Sequence, residues 1–400
     1  MTRPRTPPPS PAQRVPTQPT NPSLDAPGPV GSPPASDGLE LIKPSVRGQA
    51  GYSLAAPAAR RKLNQNESPF DFPAELKREV WDQVAGRPWQ RYPEFVPRDL
   101  QSALAAQYGW LPDGVLVGNG SNELIQATLA VTLGAGDVVV APSPTFSLYR
   151  LLTGVLGGRY LPVPLGEAYV FDVDRLIETS RREHARVVVL NSPNNPTGSA
   201  LPEGAVERVL DATDALVVCD EAYQDFGGPS AIPLLRHSSR VVVLRTFSKA
   251  LGLAGLRFGV ALAHPAVARE IAKGKLPYNV NLITLAAARV ALRHASMLTA
   301  RTHEVIGTRE RFVARLRRVS GVSVYPSAAN FVLIRCQAIS ATQLFHRLHQ
   351  DYGILVRDLS SSLELADCLR ISIGTADDMD AVIQALEEIL SNPPEEGGRR

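Results

Sequence analysis

The sequence predicts an α/β protein whose main sheet is mostly parallel and lies between helices, followed by a smaller α+β lobe. Apolar strand candidates alternate with amphipathic helices from about residue 115 to 263. Several of these strands are unbroken valine and leucine runs, such as residues 187–190 and 241–244, which is typical of strands covered on both faces. Beyond residue 263 the alternation gives way to long helical stretches and short strands. These patterns together favour a two-lobed chain over a single simple core.

Seven strands are predicted for the main sheet. They are residues 115–118, 138–142, 159–163, 186–191, 215–220, 241–248 and 257–263. Capping residues and prolines predict that the intervening helices begin at Ser121, Thr145, Asp172 and Pro202. Ligands of open α/β sheets bind at the carboxyl ends of the strands, so the residues that follow each strand are the candidates for function.

The remaining segments are assigned to an arm, a tail and a second lobe. In this lobe we expect helices over 280–317 (with a break near 295–296), 340–351 and 377–391, and strands at 322–325, 330–335, 354–357 and 369–373. The helical residues 66–110 are expected to join it. The predicted organisation is a tail (1–37), an N-terminal arm with part of the small domain (38–110), a large domain (111–290) and a C-terminal small domain (291–395).

The tail is set apart by its proline content. Of the 34 prolines, 12 lie within the first 34 residues. Apolar residues are too few there to offset the entropy of ordering, so disorder is predicted. A passive tail or an over-extended gene start is the favoured interpretation, and a polyproline ligand, which the PxxP spacings suit, is the alternative. The segment has no apolar core of the kind a signal peptide needs.

Charge and cysteine content exclude several functional classes. A net charge of +3 over 400 residues is too weak to indicate nucleic-acid binding. The three cysteines have no CxxC spacing, so neither a disulfide framework nor a zinc site is expected, and no metal is predicted. No run of 18 apolar residues occurs, so no membrane span is expected. These features fit a cytoplasmic protein.

The basic run RERFVARLRR at 309–318 has helical spacing. It is interpreted as a solvated helix face, with an RNA-binding face as the alternative.

Four strand ends carry residue types that suit one ligand. The turn GNGSNE at 118–123 opens a helix and presents backbone N–H groups to a phosphate. Asp220 ends an apolar strand and needs a cation or hydrogen-bond donors, and a ligand can supply that cation. The segment NSPNNPTG at 191–198 is stiff enough to aim an amide. Residues 246–257 supply two hydroxyls, an arginine and one of only six lysines, Lys249. A phosphate, a ring nitrogen and an aldehyde together describe pyridoxal 5′-phosphate (PLP).

At these residues the chain resembles the fold-type I PLP-dependent transferases, specifically the class I/II aminotransferases of the histidinol-phosphate aminotransferase group. The resemblance runs over about residues 50–395. Its landmarks are LNQNESP (63–69), RYPE (91–94), GNGSNE (118–123), SPTFSLY (143–149), NSPNNPTG (191–198), DEAY (220–223), RTFSKALGLAGLR (245–257), PYN (277–279), NF (330–331), GILVRD (353–358) and LRISIGT (369–375).

The resemblance implies roles for individual residues. Lys249 matches the lysine that bonds to PLP and carries a proton, and Asp220 matches the acid that faces the ring nitrogen. Tyr223 and Asn195 match the pair that contacts the ring oxygen, and Phe146 matches a stacking aromatic that is commonly tyrosine. The phosphate ligands implied are Gly120, Ser121, Asn122, Thr246, Ser248, Arg257 and, from the neighbouring subunit of a homodimer, Tyr92. The substrate residues implied are Arg370 for a carboxylate, Arg357 for a phosphate, and Tyr278 and Asn66 in the same pocket.

The implied activity is reversible amino transfer between glutamate and imidazole-acetol phosphate, which yields histidinol phosphate and 2-oxoglutarate in histidine biosynthesis. Within the same fold, an aromatic amino-acid aminotransferase and a phosphothreonine decarboxylase of cobamide synthesis share the cofactor residues. A hypothesis of another class is a non-catalytic protein that keeps the fold and uses the tail as an adaptor. Loss of Lys249, Asp220 or Arg370 would favour that hypothesis, and all three residues are present.

Overall fold

The computed structural model describes residues 36–51 and 57–391. Residues 1–35 of the predicted tail lie outside the described residues, whereas the last two tail residues belong to the helix Ser36–Glu40. The chain divides into two units between Arg47 and Gly48. The first unit contains the short helices α1 (Ser36–Glu40) and α2 (Pro44–Arg47).

The second unit carries the other elements of the described residues. Its helices are α3 (Ala74–Ala85), α4 (Arg98–Tyr108), α5 (Ser121–Thr132), α6 (Leu148–Leu156), α7 (Val173–Arg182), α8 (Ala205–Ala212), α9 (Pro265–Lys273), α10 (Leu282–Arg293), α11 (Ala295–Leu316), α12 (Ala341–Gln350) and α13 (Ala376–Ser391). Its strands are β1 (Arg61–Lys62), β2 (Val115–Gly118), β3 (Val138–Ser143), β4 (Arg159–Pro164), β5 (Val187–Asn191), β6 (Leu216–Asp220), β7 (Val241–Thr246), β8 (Gly259–Ala263), β9 (Val322–Val324), β10 (Phe331–Cys336), β11 (Ile354–Leu355), β12 (Arg357–Asp358) and β13 (Cys368–Ser372).

The main sheet has seven strands in the order β2-β8-β7-β6-β5-β3-β4. Strand β8 runs antiparallel to both of its neighbours, and the other pairs are parallel. The prediction of a mostly parallel seven-stranded sheet is therefore confirmed. Two of the predicted helix starts are confirmed, at Ser121 and at the N-cap Asp172, while the other two helices begin three residues later, at Leu148 and Ala205.

The valine-rich strands are buried on both faces, as their composition predicts. In β7, Val241 and Val243 pack in one apolar core while Val242 and Leu244 pack in another. Successive side chains of a strand point to opposite faces, so an unbroken apolar run contributes side chains to the apolar cores on both sides of the sheet. Helix α5 contributes to one core and helix α10 to the other, which places the sheet between layers of helices.

Within residues 66–110, helices α3 and α4 pack against the main sheet, so the expectation that this segment joins the second lobe is wrong for both helices. Leu76 and Val80 of α3 and Leu100 and Leu104 of α4 belong to the same buried core as Val115 of β2. An amphipathic helix buries its apolar face against whichever surface is near, and the pattern alone does not name that surface. The other predicted domain boundaries remain predictions.

The second lobe is built on an antiparallel sheet in the order β12-β13-β10-β9, covered by α11, α12 and α13. The predicted helical break near 295–296 falls between α10 and α11, at His294. The prediction of one continuous strand at 354–357 is wrong. Residues 354–355 pair with β1 and residues 357–358 pair with β13, so the chain changes sheets at Val356.

The basic run at 309–318 is only partly a solvated face. Arg309 is 6% exposed, and its Nη1 donates to the carbonyl oxygens of Phe226 (3.1 Å) and Ala329 (2.9 Å). Arg309 shares a helix face with the buried Phe312 and Leu316, since residues three and seven positions apart lie on one side. The expectation of full solvation is therefore wrong at Arg309. Among the described helices, none is both long and apolar enough for a membrane span.

Candidate active site

The candidate residues converge where the carboxyl ends of β5, β6 and β7 meet the N-terminus of α5. Asn195 follows β5, Asp220 ends β6, and Lys249 follows β7. Parallel neighbours end at the same edge of a sheet, and the order β7-β6-β5 puts Asp220 between the other two.

Lys249 is held in a setting that favours its neutral form. Its Nζ donates to the carbonyl oxygen of Gln65 (3.0 Å) and lies 5.7 Å from the centre of the Tyr223 ring. Burial is the largest cause that lowers the Lys249 pKa, to about 7, and Arg370 is the next largest. Glu67 opposes this shift. Much of Lys249 is therefore an uncharged, nucleophilic amine at neutral pH.

Asp220 is a buried carboxyl group, 3% exposed. The Tyr149 hydroxyl donates to Oδ2 (2.6 Å) and the Ala222 backbone N–H donates to Oδ1 (3.1 Å). Burial raises the Asp220 pKa, and these two hydrogen bonds oppose the rise. Within the described part of the chain, Asp220 forms no ion pair with a cationic side chain, so the site suits a ligand that brings a positive charge.

Tyr223 and Asn66 join the two lobes beside the lysine. The Asn66 side-chain amide donates to the Tyr223 hydroxyl (3.0 Å), and its backbone N–H donates to Ser372 Oγ (2.8 Å). The Asn330 amide donates to the Asn66 carbonyl oxygen (3.0 Å). Asn66 has a φ of 55° and is 1% exposed. These bonds hold it in the left-handed region, which asparagine tolerates better than most residues.

Arg370 reaches from the second sheet to the main sheet. Its Nη1 donates to the Asn195 side-chain oxygen, and its Nη2 donates to the Asn64 carbonyl oxygen (2.8 Å). Its guanidinium carbon lies 5.4 Å from the centre of the Phe331 ring. A buried cation, 8% exposed, is thus placed among the residues that surround Lys249.

Arg357 lies directly opposite Arg370 in the antiparallel pair β12–β13. Opposed residues of antiparallel strands project from the same face with their Cβ atoms about 5 Å apart. The register therefore brings two arginines to one side of the second sheet. No sequence pattern shows this pairing, because the two residues are separated by the turn at 359–367.

The α5 N-terminus has the geometry of an anion cradle. Gly120 has a φ of 81°, and a Cβ there would lie 2.6 Å from Arg257 Nη2. Arg257 Nη1 donates to Ser248 Oγ (3.3 Å), and the Thr246 hydroxyl accepts from the Ser248 N–H (3.1 Å). The first N–H groups of a helix, here from Ser121 onward, lack an intrahelical acceptor. The Asn122 side chain is exposed, so this residue offers its backbone to the cradle.

Tyr92 and Tyr278 lie on an exposed aromatic surface beside the cradle. Their rings stack with centroids 4.5 Å apart, and they are 80% and 40% exposed. The neighbouring Asn279 donates to Glu123 Oε2 (2.8 Å), which also accepts from the Asn119 backbone N–H (2.5 Å). Glu123 therefore ties the segment with Tyr278 to the glycine turn.

The structure also identifies site residues without a predicted role. One is Tyr149, which contacts Asp220 and meets the ring of Phe146, the predicted stacking aromatic, edge-on with centroids 5.7 Å apart. Tyr149 and Ser372 both fall inside landmarks of the resemblance, which was the available signal. Asn64 also lies inside a landmark, LNQNESP, but its contact with Arg370 is made by the backbone carbonyl oxygen, which no residue type signals.

Comparisons with known proteins agree with this geometry. The sequence profile of the family described as "Aminotransferase class I and II" matches residues 61–386. Histidinol-phosphate aminotransferase of Prosthecochloris aestuarii is 38% identical over 89% of this chain and 99% of its own length. The protein of the same name from Chlorobaculum tepidum is 37% identical over 87% of this chain and 100% of its own.

A solved structure agrees as well. Histidinol-phosphate aminotransferase from Sinorhizobium meliloti, in complex with pyridoxal 5′-phosphate, aligns with a TM-score of 0.78 and 28% identity, over 88% of this chain and 98% of that one. The chain therefore belongs to the class I and II aminotransferase family, as a member of its histidinol-phosphate aminotransferase group.

Proposed function

We propose that the chain uses PLP to transfer an amino group between glutamate and imidazole-acetol phosphate, which yields histidinol phosphate and 2-oxoglutarate. The observation that carries this proposal is the register Arg357↔Arg370. One arginine suffices for the two oxygens of a carboxylate in a bidentate pair. A phosphate ester has three terminal oxygens and more charge, so a second arginine on the same face favours a phosphorylated substrate. The names of the relatives support the same substrate.

The residues present fit PLP at three points. In the cradle, the backbone of Gly120, with φ 81°, lies close to the Arg257 guanidinium, and this combination suits a phosphate. Asp220 is a buried acid that suits a cationic ring nitrogen. Lys249 offers an amine whose pKa is about 7. When bound, PLP supplies an electron sink for negative charge at the α-carbon of the substrate.

Each residue of the chain then has a definite task. Lys249 Nζ would hold the cofactor through a covalent bond that forms with loss of water, and the same amine would carry a proton during amino transfer. Asp220 would supply negative charge for a cationic ring nitrogen. Tyr223 and Asn195 would orient the ring through their polar side chains. Arg370 binds the substrate carboxylate, with Tyr278 and Asn66 lining the same pocket.

An acceptor screen with glutamate as donor tests the proposal against its alternatives. We expect transfer to imidazole-acetol phosphate to exceed transfer to phenylpyruvate. The reverse order would indicate an aromatic amino-acid aminotransferase, and release of CO₂ from O-phosphothreonine would indicate a decarboxylase. No transfer to any acceptor, with no visible absorbance after addition of PLP, would indicate a non-catalytic protein.

The Arg357→Ala variant tests the phosphate assignment. We expect kcat/KM for histidinol phosphate to fall about 30-fold, since a charge-assisted contact to phosphate is lost, while kcat/KM for glutamate falls less than about threefold. The measurement is steady-state kinetics in both directions. Arg315→Ala is the matched control, because Arg315 is an exposed arginine of the same lobe that pairs with Asp380. Equal losses for both substrates would show that Arg357 does not recognise the phosphate.

The pKa of Lys249 predicts how the apoenzyme recombines with PLP. Because burial and Arg370 lower this pKa to about 7, the neutral amine rises from about one tenth at pH 6 to about nine tenths at pH 8. The rate of recombination should rise through pH 7 and level off above pH 8. Nα-acetyl-lysine, measured with PLP over the same range, corrects for titration of PLP itself. A rate that still climbs tenfold per pH unit above pH 8 would contradict the lowered pKa.

We also propose a homodimer in which Tyr92 reaches the phosphate site of the partner subunit. Tyr92 and Phe95 are 80% and 64% exposed, and Leu276 beside Tyr278 is 75% exposed. Apolar side chains exposed together mark an interaction surface. The mass in solution, measured by sedimentation equilibrium, tests this assembly.

The three buried thiols of Cys219, Cys336 and Cys368, none of which is in a disulfide, support a cytoplasmic location.

A further inference from the structure

Tyr169 inserts from the edge of the main sheet into the second lobe. It closes the short turn Glu167–Tyr169, which follows β4. Its side chain is buried and packs in one cluster with Leu333, Leu365 and Cys368 of the second lobe. Its ring also meets Tyr325 edge-on, with centroids 4.8 Å apart. Tyr169 thus lies in the chain just after an edge strand of the main sheet, but its side chain is buried among residues of the second lobe.

The Tyr169 hydroxyl makes three polar contacts with the second lobe, one of them with Cys368 Sγ at 3.7 Å. It accepts from Arg335 Nη2 (2.8 Å) and donates to the Glu364 carbonyl oxygen (2.9 Å). The same guanidinium donates from Nη1 to the Ala366 carbonyl oxygen (2.8 Å) and from Nε to the Tyr325 hydroxyl (2.9 Å). Arg335 therefore links Tyr169 to the segment that leads directly into β13.

The strand register connects this contact to the substrate arginines. Arg335 opposes Cys368, and Leu333 opposes Arg370. Residues two apart on a strand share a face and lie about 7 Å apart. Tyr169 therefore contacts the same face of the second sheet as Arg370 and Arg357, one rung further along β13.

The turn that carries Tyr169 has an unfavourable backbone conformation. Ala168 has a φ of 52° and Tyr169 a φ of 61°, and two successive non-glycine residues in the left-handed region are unfavourable. Such conformations persist where surrounding contacts stabilise them, and they are most frequent at functional sites. Here the surrounding contacts are those of the Tyr169 ring and hydroxyl.

We propose that Tyr169 is a positioning residue that sets the distance of Arg357 and Arg370 from the cofactor site. This inference rests on the proposed function, since it takes the substrate to bind these two arginines. The hydroxyl of Tyr169 bonds to Arg335 and to the Glu364 backbone, and not to Arg357 or Arg370 themselves. It acts through Arg335 and β13, so its loss should alter substrate binding more than the chemical step.

The Tyr169→Phe variant tests this role, because it keeps the ring and removes only the hydroxyl. We expect the KM values for glutamate and for histidinol phosphate each to rise about tenfold, while kcat changes less than about twofold. The affinity for PLP and the visible absorbance of the bound cofactor should stay at their wild-type values. Tyr352→Phe is the matched control, because it removes an exposed hydroxyl contact to Glu388 Oε2 (2.8 Å) in the same lobe.

A second variant checks that Tyr169 and Arg335 act together. Arg335→Met should raise the same KM values, and adding Tyr169→Phe to it should raise them no further. Unchanged KM values in Tyr169→Phe, or a matching loss of PLP affinity, would overturn the inference. A wild-type protein that transfers no amino group to imidazole-acetol phosphate would instead contradict the proposed function. The KM for glutamate with the acceptor it does use would then still test Tyr169.

Discussion

Replacing Lys249 by alanine should lower kcat by at least about 1,000-fold, because both the covalent attachment of PLP and the proton transfer depend on its amine. PLP should remain bound without a covalent bond, since the cradle around Gly120 and Arg257 is intact. Single-turnover kinetics gives the loss of rate. Borohydride reduction followed by mass spectrometry should locate PLP on the peptide of Lys249 in the wild type alone.

Two further variants separate the amine of Lys249 from its charge. Lys249→Arg keeps a cation but offers no comparable nucleophile, so it should lose as much activity as the alanine variant. Lys273→Ala removes an exposed lysine that pairs with Glu270 (2.5 Å) and should turn over normally. Normal turnover in Lys249→Ala would refute the assignment of Lys249.

Asp220→Asn should lower kcat by about 100-fold or more, because it removes a preorganised charge from a buried position. The amide oxygen can still accept from the Tyr149 hydroxyl, and the side chain keeps its shape. The negative charge is lost, together with the bond from the Ala222 N–H, because the amide NH2 group cannot accept it. The KM for glutamate should change little, since Arg370 is untouched. Steady-state kinetics with saturating PLP measures both constants.

Tyr149→Phe is the control for Asp220. It removes the 2.6 Å hydrogen bond to Oδ2 but leaves the carboxyl group and its bond from the Ala222 N–H. Losing that bond should raise the Asp220 pKa further, and kcat should fall by no more than about tenfold. A loss as large as that of Asp220→Asn would mean that the hydrogen bond to Tyr149, rather than the charge, is what matters.

The seven strands of the main sheet were predictable because each is a short apolar run between turn and helix signals. The residues after β6 and β7 were predictable as candidates, since a parallel sheet collects its ligands at one edge. The placement of α3 and α4 was not, because amphipathicity shows that a face is buried and not what covers it. Arg309 was missed for a related reason. A basic run is usually solvated, and only the carbonyl groups of Phe226 and Ala329 explain its burial.

The chemistry of the cofactor site follows from local sequence. Lys249, Asp220 and the glycine turn at 118–120 each lie within a few residues of a strand end, where the backbone path is set by short-range pattern. The substrate side depends on contacts between distant residues. Arg357 meets Arg370 through strand register, Asn195 meets Arg370 across two sheets, and Tyr169 reaches Arg335 from 166 residues away. Such pairings arise only when the two cores close on each other, because burial of both apolar faces, and not any local propensity, brings these residues together.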